Sequence, residues 1–127
     1  MSSFEVFIDA ELRLVKVTAF GEFFQKDGEE IITTARKAAA EHDYNIIYDM
    51  RQATTTVAFA SWFNLPRNLD VFKDIEPWRT RVAVLASKQD KALNDYKFYE
   101  TVTGNLGLKI RVFFEETEAM KWLGEKL

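Results

Sequence analysis

The chain has 127 residues, with 17 basic and 20 acidic side chains and a net charge of −3. That length suits one domain spanning residues 1–127, and the charge leaves no long-range positive field to recruit nucleic acid or anionic lipid. With no cysteine, disulfides, thiolate catalysis and Cys-ligated metals are excluded together.

"MSSFEVFIDAELRLVKV" has no basic stretch leading into an apolar run, and no window reaches about 18 apolar residues, so a cytoplasmic protein is expected. "FEVFID" and "LRLVKVTAF" are rich in β-branched and aromatic residues and read as an antiparallel hairpin that Gly21 ends. Asp27 followed by Glu30 resembles a capping box, and Ile31, Ile32, Ala35, Ala38 and Ala39 recur at helical spacing, predicting a helix over 28–42. "YNIIYDM" (44–50), "TRVAVLA" (80–86) and "KIRVFF" (109–114) are short apolar runs suited to a sheet interior. Helices are predicted over 57–76, 88–103 and 116–126, with Ser87 and Asp90 as a second cap, Gly104 as a helix end and "TGNLG" as a turn. The order β-β-α-β-α-β-α-β-α implies an α/β domain whose sheet is largely parallel after the hairpin.

Candidate chemistry sits at the carboxyl ends of the parallel strands, where open α/β sheets bind ligands. Asp49 and Arg51 follow one strand there, Ser87, Lys88 and Asp90 the next, and Glu115 and Glu116 the last. As a polar rim they do acid–base work only if a carboxylate pKa moves toward neutrality; the competing reading pairs Asp49 with a nearby Lys or Arg. His42 is the single histidine; it belongs to the end of the first helix as a favourable charge, and no His or carboxylate spacing implies a metal. Neither a glycine-rich phosphate loop nor a serine in an elbow context is present, so no cofactor and no catalytic residue are implied.

"TGNLGLKIRVFFEETEAMKWL" resembles the C-terminal signature of the SpoIIAA-like branch of the STAS superfamily, and "YNIIYDMR" resembles the strand ending in Asp of the same family. The resemblance implies an N-terminal antiparallel hairpin followed by β-α units forming a mostly parallel mixed sheet, with crossover helices on one side. It also implies two modes of action: apolar-ligand or membrane binding, as in Sec14-like lipid-transfer domains, and partner switching through a phosphorylated hydroxyl at the start of the helix after this strand. The matching region here is "QATTTVAFASW", without an Asp-Ser pair and without Gly, and it places Thr54, Thr55 and Thr56 at that helix start. There one threonine caps the helix, or a phosphate meets its exposed amides.

"VAFASWFNLPRNLDVFKDIEPW" (57–78) is the compositional anomaly, with three Phe and two Trp around Pro66. On a helical wheel Ala58, Trp62, Leu65, Leu69 and Phe72 form one stripe, which leaves Phe59 and Phe63 on its flank. Each exposed ring forgoes about 1.5–3 kcal/mol of burial. Three covers are open: a neighbouring helix, a second copy of the chain in a homodimer, or an apolar ligand or lipid. Pro66 removes a helix hydrogen bond and serves as a hinge. The leading expectation is a non-enzymatic module that binds a hydrophobic small molecule, a lipid or the inner face of a membrane through Phe59, Trp62, Phe63, Leu65, Phe72 and Trp78. The alternative is a phosphorylation-regulated protein–protein interaction module using Thr54–Thr56; a third reading is an enzyme built on Asp49 and Arg51.

Overall fold

A computed structural model describes residues 3–55, 79–87, 100–101, 104–105 and 107–124. β1 (Ser3–Asp9) and β2 (Leu14–Phe23) form the hairpin, in continuous antiparallel register from Ser3 opposite Phe20 to Asp9 opposite Leu14. Its turn is held by Asp9, whose Oδ1 accepts the amide of Leu12 at 3.1 Å, while Arg13 takes the left-handed conformation at φ 52°. Gly21 does not end β2. It lies inside the strand at φ 84°, a backbone setting that glycine adopts without steric cost.

Helix α1 (Gln25–His42) starts earlier than the Asp27–Glu30 pattern predicts. Phe24 is the N-cap, and Asp27, three residues inside the cap, reaches back so that its Oδ2 accepts the Phe24 amide at 2.9 Å. The carboxylate therefore satisfies an orphan amide from within the first turn, where the helix dipole also favours negative charge. At the other end Asp43 closes the helix in the left-handed region, at φ 58° and ψ 45°. His42, in the last turn, stacks on Tyr44 with ring centroids 5.2 Å apart.

β3 (Asn45–Thr55), β4 (Arg81–Leu85) and β5 (Lys109–Phe113) continue a five-stranded sheet in the order β1-β2-β3-β4-β5. Every neighbouring pair after the hairpin is parallel. The chain ends its described course in α2 (Glu116–Leu123). Gly104 and Asn105 are still helical, and the turn before β5 falls instead on Gly107, at φ 85°. The crossovers predicted over 57–76 and over most of 88–103 lie outside the described residues.

Strand alternation sends side chains to two different cores. On one face Val15, Val17, Ala19, Phe23, Ile46, Tyr48, Met50, Val82, Val84 and Ile110 pack beneath Ile31, Ile32, Ala35 and Ala39 of α1. Leu14, Ile47, Ala83, Leu85 and Phe113 occupy the other, beneath Ala119 and Leu123 of α2. A fully buried side chain such as Phe23 contributes about 1.5–3 kcal/mol. α1, the described crossover helix, thus covers one face, and α2, which follows β5, covers the other.

Charged and polar side chains lock α2 in place. The Asn45 side-chain amide donates to the Leu123 carbonyl at 3.2 Å, and its Oδ1 accepts the Arg81 amide at 2.9 Å. Buried Arg81 donates to the Trp122 carbonyl at 2.5 Å and stands 5.3 Å from the centre of the Trp122 ring. These groups answer carbonyls that every helix end leaves unpaired.

A candidate interaction site at the carboxyl end of β3

β3 outruns its neighbour. Among the described residues β4 pairs only with Ile46–Asp49, whereas Gln52–Thr55 pair with Phe20–Phe23 of β2, so β2 and β3 run on as a two-stranded ribbon beyond β4. The strand read over 44–50 therefore extends through polar residues, and Thr54 and Thr55 are its last two positions rather than a helix start. Ladder pairing with β2 carries the strand through this polar run, because pairing satisfies backbone donors and acceptors, and the β-branched threonines suit a strand.

Register shifts between Thr18 and Phe20: Thr18 opposes Asp49 but Phe20 opposes Gln52, which leaves one extra residue in β3. Such a bulge reverses the alternation beyond it. Met50 and Ala53, three apart, consequently both enter the α1 core. Asp49 and Arg51, two apart, meet on the other face.

Asp49 and Arg51 form a two-pronged pair. Arg51 Nε donates to Asp49 Oδ1 at 2.9 Å and its Nη2 donates to Oδ2 at 2.8 Å, while the Arg51 backbone amide donates to Oδ1 at 3.1 Å. From α2, Glu116 Oε1 lies 3.9 Å from the same guanidinium. The Arg51 side-chain hydrogen bonds hold the Asp49 carboxyl below the usual carboxylate range against a smaller opposing effect of burial. In turn the Asp49 hydrogen bonds push Arg51 up, with the charges of Asp49, Glu116 and Glu115 adding to the effect. Asp49 is thereby fixed as a carboxylate, the opposite of the shift toward neutrality that general acid–base work requires. The reading that pairs Asp49 with a basic neighbour is the one realised here.

Thr54 is exposed and lies directly opposite Glu22 of β2. Thr55 opposes Phe23 in the same ladder. Ser87, half-buried, follows β4, while Lys88, Asp90 and Thr56 lie outside the described residues. So do Phe59, Trp62, Phe63, Leu65, Pro66, Phe72 and Trp78, and with them the proposed aromatic dock and its hinge.

Sequence reasoning missed two groups near this site. Glu22 was hidden because β2 was ended at Gly21. Tyr48 was read only as part of an apolar run; it is buried beneath α1, its hydroxyl has no hydrogen-bond partner among the described residues, and burial pushes its pKa up to about 12 against a smaller pull from Arg36. Among the described residues no three His, Cys, Asp or Glu side chains converge as a metal set, and no helix is long and apolar enough to cross a membrane.

The strand order and directions are those of a SpoIIAA-like fold. An uncharacterized DUF3478-family protein with a SpoIIAA-like fold from Shewanella loihica superposes with a TM-score of 0.60 at 14% identity, over 97% of this chain and 95% of that one. An anti-sigma factor antagonist from Mycobacterium paratuberculosis gives 0.58 at 11% identity, covering 97% and 96%. The Bacillus cell fate determinant SpoIIAA, in its phosphorylated form, gives 0.52 at 17% identity, covering 94% and 98%. No family model and no curated protein matches the chain.

Proposed function

We propose that the protein is a non-enzymatic protein–protein interaction module of the anti-sigma-factor-antagonist type, regulated by phosphorylation of a threonine at the end of β3. The observation that carries this reading is the projecting β2–β3 ribbon, which presents exposed Thr54 beside Glu22 and close in sequence to the Asp49–Arg51 pair. Structures with the same fold include anti-sigma factor antagonists, one of them solved in a phosphorylated form.

A phosphoryl group adds a charge of about −1.5 to −2 and three acceptor oxygens. On Thr54 it stands opposite the Glu22 carboxylate, where like charges repel, and competes with Asp49 for the Arg51 guanidinium. Either response changes the surface a partner meets. The hydrophobic small molecule or lipid expected from residues 57–78 gives way to a polypeptide partner in this reading, since the support lies in the ribbon and in the antagonists that share its fold.

Native complexes isolated from the cells that make the protein test it. A polypeptide that co-purifies with wild type and is depleted by the Thr54→Glu, Thr55→Glu double variant is the expected result. Recovery of the same partners with both forms, or of lipid alone, contradicts it.

A further inference from the structure

The outer strand β1 carries an interaction surface of its own, independent of the ribbon. Phe7 is 60% exposed and Val6 is 37% exposed, both at the middle of the strand. Among the described residues β1 pairs only with β2, and its outer side has no ladder partner there. Edge strands are often blunted by a bulge, a proline, charged side chains or a covering element. β1 has neither bulge nor proline, its register with β2 is unbroken, and its charges are confined to Glu5 and Asp9 about an apolar centre. The opposite edge differs, because the Glu100 carboxylate accepts the backbone amide of Val112 at 2.6 Å and so occupies β5.

We infer that β1 pairs antiparallel with β1 of a second copy of this chain, joining two sheets about a two-fold axis through Val6. The register follows from ladder geometry. Two opposed residues in an antiparallel pair either both exchange hydrogen bonds or both do not, so the numbers of a self-paired set must sum to an even value. A sum of 10 sets Glu5 against its own copy, and a sum of 14 sets Glu5 against Asp9 of the other copy; like charges directly opposed are destabilising. A sum of 12 engages all seven residues of the strand. It places Val6 against Val6, Phe4 against Ile8, Glu5 against Phe7 and Ser3 against Asp9, with no like charges opposed. Each Phe7 then lies diagonal to its symmetry mate, within reach of an aromatic ring. With β5 occupied by Glu100, pairing through β1 closes as a dimer instead of propagating as a filament.

Because the chain lacks cysteine, the register is readable by single-cysteine trapping. Opposed Cα atoms lie about 4.5–5.5 Å apart in an antiparallel ladder, inside the disulfide range, whereas diagonal positions about 7–8 Å apart fall outside it. Sedimentation of wild type across a concentration series is expected to show the mass rising from one chain toward two. Under mild oxidation V6C is expected to form a covalent dimer, and E5C, diagonal to its mate, is not. F7E is expected to abolish association, since it opposes Glu5 of the other copy, yet remain folded, since it faces Lys16 within its own hairpin. A single-chain mass at every concentration overturns the inference, as does equal cross-linking of V6C and E5C. Should F7E fail to fold by circular dichroism, the two cysteine variants still decide.

Discussion

Removing one oxygen from the core, by Tyr48→Phe, raises stability at neutral pH and flattens its decline at high pH. The Tyr48 hydroxyl is buried and lacks a hydrogen-bond partner among the described residues. A buried unsatisfied polar group costs about 1–3 kcal/mol, and the loss of packing from one missing atom offsets part of the gain, leaving a net stabilisation of about 1 kcal/mol. The pH dependence follows from linkage. Folding raises the Tyr48 pKa from 10.0 to about 12, chiefly through burial. The native state therefore favours the protonated phenol, and this contribution is complete below the unfolded pKa and is lost as pH climbs from about 10 through about 12. One proton sets the slope at no more than about 1.4 kcal/mol per pH unit. Urea unfolding of wild type and variant at pH 7 and at steps above pH 9.5 reads both effects, with other titrating groups cancelling in the difference. A variant less stable than wild type at pH 7, or an identical alkaline decline in both, refutes the reasoning by showing that the hydroxyl is satisfied or solvated.

Two further substitutions probe the frame and the rim. Asn45→Ala strips partners from the Arg81 amide and the Leu123 carbonyl, and is expected to cost about 2–3 kcal/mol in chemical denaturation and to speed hydrogen exchange across α2. Asp49→Asn removes the exposed pair with Arg51, with an expected cost of about 0.5–1 kcal/mol at pH 7. Since folding lowers the Asp49 pKa, that stability is present above the ordinary carboxylate range and is lost as pH falls through the lowered value, so the two denaturation curves are expected to converge in acid.

The strands of the sheet were legible because apolar residues dominate them, and Val82, Ala83, Val84 and Leu85 are all buried as a parallel interior requires. The far half of β3 was not. "RQATT" lacks the apolar pattern that marks the other strands, and its place in the ladder is set by β2, with a bulge that no local pattern announces. Buried Arg36 and Arg81 defeat hydropathy for a related reason: long charged side chains enter a core when partners there accept their hydrogen bonds, as the Trp122 carbonyl does for Arg81. Asp49 and Arg51 were legible as a rim because they follow the apolar run of one strand, and their spacing of two sets them on one face for the two-pronged pair. Surplus aromatic surface was sought around Pro66; among the described residues it appears on Phe7 and Phe24, since Phe7 points to the sheet face opposite α1 on an outer strand and Phe24 precedes the first turn of α1.

Mass mapping of the protein purified from the cells that make it, focused on the peptide between Arg51 and Arg67, tests the proposed regulation most directly. A fraction carrying one phosphoryl group on Thr54, Thr55 or Thr56 is the predicted result. Uniformly unmodified peptide, under every growth condition in which the protein is made, contradicts it.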